Sequence, residues 1–244
     1  MFIWIAVLTI ALGISCGGRA KQRTTAGSEG ATRQAGTSGT SGNSDSAPQH
    51  AATPPADRIP IELQLVGGNS TALFDAAYAS DWDGAKESVG ALEAAEDRLR
   101  SPMPDTTIAD QIFNYTHAAK DDVRDRNRPS AMDDANKITR AVADLAEKFR
   151  SGATARPMLL GYYGRQLEIG LVANRPELLR RATADLKGVW RDVQPELERR
   201  GDTEDDKRFT DALVALDGAK RPRDYVAPTR AELAVADRIA KALD

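Results

Sequence analysis

One stretch of the sequence, residues 161–170, combines side chains that could hold a small ligand. Arg165 and Glu168 are three residues apart, so on a helix both side chains lie on the same face. Tyr162 and Tyr163 add two hydroxyl groups to the stretch. Most neighbouring side chains are apolar, so burial in a bundle would force the guanidinium and the carboxylate to pair. The stretch therefore predicts either a small binding pocket with these four polar anchors or a structural ion pair in the core.

The histidines give little support for a metal site. His50 lies in a polar segment, whereas His117 and Asp121 are four residues apart and could supply two ligands from one helical face. A structural metal site needs three or four ligands, and the chain has only two histidines and one cysteine. We therefore expect His117 to lie on a solvated polar face, and we expect no bound metal.

Sequence motifs for the common enzyme classes are absent. The chain contains no phosphate-binding loop, no nucleophile elbow and no pair of Glu-x-x-His motifs. Acidic and basic residues are interspersed and the net charge is −3, which argues against nucleic-acid binding because that needs a basic stripe. We expect no catalytic residues, although an enzyme is not excluded by sequence alone.

The only cysteine follows a short apolar leader. Residues 2–14 are almost wholly apolar, but a helix that crosses the hydrocarbon core takes ~20 residues, so the run suits a signal peptide better. The leader ends in the sequence Leu-Gly-Ile-Ser-Cys-Gly at positions 12–17. This segment resembles the lipobox of bacterial lipoprotein precursors, in which a small residue directly precedes the cysteine. An uncleaved anchor or cleavage by the ordinary signal peptidase is the competing interpretation.

The resemblance implies a sequence of processing steps. Cleavage between Ser15 and Cys16 would remove a signal peptide of residues 1–15, and fatty acids such as palmitate would be attached to Cys16. That covalent lipid is the only non-protein group we expect. Two or three acyl chains anchor a protein stably, at ~0.8 kcal/mol per buried methylene. Gly17 is compatible in the family with sorting to the outer membrane, so we expect a bacterial envelope protein that faces the periplasm.

A polar segment separates the leader from the rest of the chain. Residues 17–58 contain no Val, Ile, Leu, Met, Phe, Trp or Tyr, so they cannot bury enough apolar surface to offset the entropy of ordering. We therefore expect a disordered tether of Gly, Ser, Thr and Ala over residues 16–58. Its random-coil span is about 35 Å, from ~5–6 Å times the square root of its length. Residues 59–244 then form the folded domain.

The folded part is predicted to be all-α. Six sites place an acid three residues after a short polar residue, which is typical of a helix N-terminus. They are Ser80–Asp83, Thr107–Asp110, Ser130–Asp133, Asn174–Glu177, Thr203–Asp206 and Thr229–Glu232. Apolar residues with helical spacing predict helices at 70–80, 81–100, 108–126, 131–151, 157–173, 175–200, 204–220 and 230–243. Alternation of Ile61, Leu63 and Leu65 predicts a short strand or an extended lead-in at 59–66.

Short connections between these helices predict an antiparallel bundle of seven or eight helices. Shifts of 101 and 94 residues superpose several apolar positions, which suggests two similar four-helix halves. The matched pairs include Leu73/Leu167, Leu92/Leu186, Ile112/Leu213 and Ile138/Ile239.

Two functional hypotheses remain. The first is a non-catalytic interaction module, anchored in the membrane by lipid, whose partners are other envelope proteins. The alternative is a small-molecule or metal carrier with its site on the 157–173 helix. The first predicts an exposed apolar patch, and the second predicts a cavity lined by that helix.

Overall fold

The computed structural model describes residues 59–99, 106–149 and 155–243. The predictions for the signal peptide, Ser15, Cys16 and the tether lie outside these residues. The described residues form eight α-helices and no strand. In chain order the helices are α1 (Ile61–Ala79), α2 (Trp82–Leu99), α3 (Thr106–Arg124), α4 (Arg128–Phe149), α5 (Arg156–Val172), α6 (Pro176–Arg200), α7 (Thr203–Gly218) and α8 (Pro222–Leu243). None of these helices meets the length and hydropathy that a bilayer-spanning segment requires.

The helices pack as two groups of four with the same pattern of contacts. In the first group, α1 to α4, each helix packs against the next and α4 returns to α1. The second group, α5 to α8, repeats this cycle, and α8 returns to α5. Each group has its own apolar core, with Phe74 and Ile138 in the first and Phe209 and Ile239 in the second. The predicted all-α bundle is therefore confirmed, and its arrangement is that of two four-helix halves.

Residues matched by the sequence shifts fall on corresponding helices of the two groups. Leu73 and Leu167 lie on α1 and α5, and Leu92 and Leu186 lie on α2 and α6. Ile138 and Ile239 lie on α4 and α8. All six side chains are completely buried. The shared positions therefore hold equivalent core sites in the two groups, which supports an internal duplication.

Helix α5 contributes to both cores. Ile169 belongs to the core of the first group, whereas Leu160 and Leu167 belong to the core of the second. Its main neighbours are accordingly α6 and α8 in its own group and α4 in the other. The predicted polar stretch of residues 161–170 is thus placed where the two groups meet.

The predicted strand at 59–66 is wrong, because α1 begins at Ile61 and includes these residues. Leu63 and Val66 are completely buried at helical spacing, whereas Ile61 and Leu65 are exposed by 60% and 40%. The alternating apolar residues that suggested a strand are therefore a mixture of buried and exposed positions on one helix. Burial against α4 outweighs the weak helix propensity of the glycines that follow.

The predicted N-terminal caps are displaced. Ser80 ends α1 in a left-handed conformation with φ of 60°, and the carboxylate of Asp81 instead accepts a hydrogen bond of 3.1 Å from the Gly84 amide. At α7 the capping side chain is Asp202, which accepts from the Asp205 amide at 3.2 Å. Asn174 does not cap α6, since Arg175 occupies that position without a side-chain cap.

Three other predicted caps lie inside helices. Thr107 follows the first residue of α3, and Ser130 lies within the first turn of α4. Thr229 lies well inside α8, which begins at Pro222 and continues through Pro228. Thr229 and Glu232 are both buried, so this pair serves the packing of α8 rather than its start.

Candidate functional site

A cleft of about 550 Å³ lies at the junction of the two groups. Helices α1, α4, α5 and α8 all contribute to its lining. Its apolar wall includes Leu63, Val142, Met158 and Leu233, and its charged wall includes Asp75, Arg165, Glu168 and Asp237. The structure therefore brings the predicted polar anchors Arg165 and Glu168 together with two carboxyl groups from other helices.

Arg165 and Glu168 do not form the predicted ion pair. Both side chains are half-buried, but neither makes a hydrogen bond or ion pair with any residue that the structure describes. The guanidinium carbon of Arg165 lies 5.5 Å from the centre of the Phe74 ring on α1. Of the two alternatives predicted for this stretch, the structural ion pair is therefore absent: the guanidinium contacts the Phe74 ring on α1, and the carboxylate of Glu168 has no partner among the described residues.

Two carboxyl groups of the cleft, those of Glu168 and Asp75, have raised pKa values. Burial raises the pKa of Glu168, and the positive charges of Arg165 and Arg230 only partly oppose this effect. The pKa of Asp75 is raised by partial loss of hydration, opposed by Arg165 and reinforced by the charge of Asp237. Loss of hydration, more than the charges nearby, therefore disfavours the ionised form of both carboxyl groups.

Glu232 lies behind the wall of the cleft. Its side chain is completely buried, and neither carboxyl oxygen has a hydrogen-bond partner among the described residues. Burial raises its pKa well above the usual value, and the charges of Glu168 and Asp237 act in the same direction against that of Arg165. Burial therefore favours the protonated form of this carboxyl.

Gly164 on α5 makes room for this carboxyl. A Cβ atom at this position would collide with the Glu232 carboxylate and would lie 2.5 Å from Cδ2 of Leu233. Helix α8 approaches α5 closely at this point because the glycine has no side chain. The glycine thereby brings a buried acid next to the residues that line the cleft.

Sequence reasoning missed Glu232, because Thr229–Glu232 resembles the start of a helix. The helical spacing of Tyr225, Glu232, Val235 and Ile239 was the signal that could have placed the acid on the buried face of α8. Asp75 and Asp237 were missed as well, since they belong to no motif and join the site only through tertiary packing.

The two tyrosines of the predicted pocket lie elsewhere. Tyr162 and Tyr163 line a separate depression of about 290 Å³ between α4, α5 and α6. Their ring centres are 4.9 Å apart, and the Tyr163 hydroxyl accepts a hydrogen bond of 3.4 Å from Arg140. Burial raises the pKa of the Tyr162 hydroxyl. The four residues predicted to share one pocket are thus divided between two sites.

A third concavity, of about 720 Å³, lies between α6, α7 and α8. Trp190, Leu213 and Tyr225 form much of its wall. Two basic residues at its rim already have partners, since Lys187 pairs with Asp217 and Arg180 with Glu177, each at 2.9 Å. A third basic residue of the lining, Arg191, has no ion-pair partner among the described residues. The lining contains a single carboxyl group, that of Asp217, and Lys187 already pairs with it, so this groove is a weaker candidate for ligand binding than the cleft.

A cluster of acids lies at the junction of α3 and α4. The pKa of Asp122 is raised to about 6, mainly by burial and then by a hydrogen bond with Asp134. Asp134 also pairs with Lys137 at 2.7 Å, and Lys137 pairs with Asp133 at 2.9 Å. The hydrogen bond between Asp122 and Asp134 joins the two helices, and Lys137 compensates part of the negative charge of the cluster.

His117 is exposed and packs edge-on against Phe113, with ring centres 4.2 Å apart. Across the described ranges, no group of three or more His, Cys, Asp or Glu side chains has the geometry to hold a metal ion.

No protein-family model matches this sequence, no curated protein is detectably similar to it, and no solved structure matches its fold. The function is therefore inferred from the chemistry and geometry of the residues themselves.

Proposed function

We propose that the protein is a lipid-anchored component of a bacterial envelope whose helical domain is a non-catalytic binding module. The observation that carries this proposal is the context of Cys16. An apolar leader too short to cross a bilayer ends in Ser15 directly before this cysteine, and a segment without large apolar residues follows it. A buried structural role for Cys16 is disfavoured, since residues 17–58 offer no large apolar side chain to pack against it.

Acylation of Cys16 would give firm attachment with freedom of movement. Two or three acyl chains hold a protein stably in a bilayer, whereas one chain binds only reversibly. A polar tether of this length gives the domain a reach of about 35 Å from its anchor. The domain would thus search the periplasmic space near the membrane for its ligand or for other envelope proteins.

The anchoring part is tested by substitution of the cysteine. In the bacterium, Cys16→Ser is expected to abolish lipid attachment, which removes the mass of the acyl chains, and to leave the leader uncleaved, because acylation and cleavage take place at the same cysteine. Ser15→Ala is the matched control, because a small residue still precedes the cysteine. Acyl chains on Cys16→Ser, or a wild-type protein whose intact mass contains no lipid, would contradict the proposal.

The cleft favours a second candidate function, that of a small-molecule carrier with its site on α5. Half-buried charged groups in proteins are normally paired, yet Arg165 and Glu168 have no hydrogen-bond or ion-pair partner among the described residues. A ligand would supply these partners. A small molecule is favoured over a metal, since the described residues offer no group of three metal ligands.

Native mass spectrometry of the full-length protein, purified from its own membranes, tests the carrier function. The expected result is a bound small molecule that dissociates on collisional activation, together with higher thermal stability before the ligand is removed. A ligand-free protein, with thermal stability that no metabolite fraction changes, would argue against a carrier. Stable co-purification of another envelope protein would instead support an interaction module.

A further inference from the structure

We propose that the cleft at the junction of the two groups binds an organic cation with an apolar body, such as a protonated alkylamine or arylalkylamine. The proposal rests on the carrier function and names the class of its ligand. The cleft offers the two surfaces that such a ligand needs, with charged side chains on one wall and Leu63, Val142 and Met158 on another.

The balance of charge selects a cation. Three carboxyl groups line the cleft, those of Asp75, Glu168 and Asp237, whereas Arg165 is its only basic lining residue within the described chain. Arg230 acts on Glu168 from outside the cleft and compensates part of its charge. Even with both arginines counted, carboxylates are in excess, so the site repels an anionic ligand and attracts a positive one.

The hydrogen-bonding groups of the cleft also match an ammonium group. An ionised carboxylate accepts hydrogen bonds and donates none, and a protonated amine donates up to three. No described residue donates a hydrogen bond to the side chains of Asp75, Glu168 or Asp237. An ammonium group seated among them would form charge-assisted hydrogen bonds, which are roughly twice as strong as neutral ones.

Glu232 provides an independent observation. This acid is completely buried, has no partner for either oxygen, and interacts electrostatically with Glu168, Arg165 and Asp237, all three of which line the cleft. Burial of a carboxyl group without a hydrogen-bond partner lowers the stability of the fold, and a positive charge nearby reduces this penalty. The same acid strengthens the negative potential of the cleft whenever it ionises.

The size and the apolar wall argue for an organic ligand. A volume of about 550 Å³ is typical of small-molecule sites, which span ~300–1,000 Å³. The wall formed by Leu63, Val142, Met158 and Leu233 would cover an alkyl or aryl group but offers nothing to an inorganic ion. Burial of that group adds ~25 cal/mol per Å² of apolar surface.

The test compares three ligands that share one ring and differ in charge. Benzylammonium, benzyl alcohol and benzoate are titrated into the full-length protein in detergent, and binding is followed by calorimetry and by thermal unfolding. Benzylammonium is expected to bind saturably and at least tenfold more tightly than benzyl alcohol, and benzoate is expected not to bind. Absence of saturable binding by both benzylammonium and n-hexylammonium would overturn the proposal.

Matched variants locate the binding. Glu168→Gln and Asp237→Asn are each expected to weaken benzylammonium at least fivefold, whereas Arg165→Met is expected to strengthen it. The control is Asp211→Asn on α7, which removes an exposed acid paired with Lys207 and should leave the affinity unchanged. Circular dichroism verifies that each variant keeps its helix content. Asp75→Asn is a further variant, and because Asp75 lies at the exposed rim of the cleft, its substitution does not put folding at risk.

The outcomes separate this inference from the function on which it rests. Binding of benzoate that Arg165→Met abolishes would overturn a cation site but retain a small-molecule carrier. Equal loss of benzylammonium affinity in Asp211→Asn and Asp237→Asn would overturn the assignment to this cleft. A native ligand without positive charge, found by mass spectrometry, would likewise overturn the ligand class and leave the carrier function intact.

Discussion

The carboxyl group of Glu232 on α8 lies directly against the backbone of Gly164 on α5. Because Glu232 is completely buried, it cannot swing into solvent to make room for a side chain on α5. This contact fixes the distance between α5 and α8, and both helices line the cleft. The packing of one glycine and one acid therefore determines the shape of the candidate site.

Substitution of this glycine should be costly. Gly164→Ala is expected to lower the free energy of unfolding by ~1–3 kcal/mol, because the new methyl group overpacks the interface with Glu232 and Leu233. Urea denaturation measures the change. Gly188→Ala on α6 is the matched control, since a Cβ there has no atom within 4 Å, and it should stabilise the helix by ~0.5–1 kcal/mol. Equal effects of the two substitutions would contradict the packing described here.

The buried acid should make stability depend on pH. The folded-state pKa of Glu232 lies well above its ordinary value, so as pH rises the unfolded chain loses this proton before the folded protein does. Folding therefore weakens with rising pH, by up to ~1.4 kcal/mol per pH unit, and Glu232→Gln removes this contribution.

Chemical denaturation at pH 4 and at pH 8 measures the contribution of Glu232 to the pH dependence of stability. Glu232→Gln is expected to match the wild type near pH 4 and to exceed its stability at pH 8. Glu177→Gln, at an exposed position on α6, should show no such gain. A constant difference between Glu232→Gln and the wild type across this range would refute an elevated pKa.

Asp122 should also make folding stability fall as pH rises, but over a narrower range of pH. Its pKa is about 6 in the folded protein against an ordinary value of 3.8, so the contribution of its bound proton is lost as pH rises between these values. Asp122→Asn keeps a donor towards Asp134 and should be more stable than the wild type at pH 7, with the difference vanishing below pH 4. Asp121→Asn, at the exposed neighbouring position, is the control. Carboxyl NMR titration that places Asp122 near its ordinary pKa would contradict this expectation.

A buried hydroxyl pair should couple α1 to α4. The hydroxyl oxygens of Ser70 and Thr139 are 3.1 Å apart, and both side chains are buried. A double-mutant cycle with Ser70→Ala and Thr139→Val is expected to give a coupling energy of ~0.5–1.5 kcal/mol. Additive effects in thermal or urea unfolding would show that the hydrogen bond contributes nothing. Ser88→Ala, which removes a hydroxyl bonded only within its own helix, provides the comparison.

The sequence predicted that the elements are helices. The residues at which each helix begins and ends were predictable only where local sequence signals agree with tertiary packing. Helix α5 was predicted at 157–173 and found at Arg156–Val172, because apolar spacing and Pro157 agree there. The start of α8 was missed because Pro228 and Thr229 resemble a helix start, whereas burial of Tyr225 extends the helix back to Pro222. Tertiary packing outweighs such local signals by several kcal/mol.

The candidate site was predictable only in its local part. Arg165 and Glu168 were found because they are three residues apart, so their shared face follows from helix geometry alone. Asp75 and Asp237 come from α1 and α8, and their approach to Arg165 depends on how distant helices pack. The orientation of the Arg165 side chain was not predictable either, since its cation–π contact with Phe74 depends on how α1 packs against α5.

The position of α5 in both cores has a consequence for how the domain unfolds. Loss of the first group would expose Ile169, and loss of the second group, which includes α5, would remove Ile169 from the first core, so neither set of four helices retains an intact interior without the other. The duplicated halves should therefore melt together, and calorimetry should record one cooperative transition whose van't Hoff and calorimetric enthalpies agree. Despite its repeated architecture, the domain is expected to unfold as a single cooperative unit.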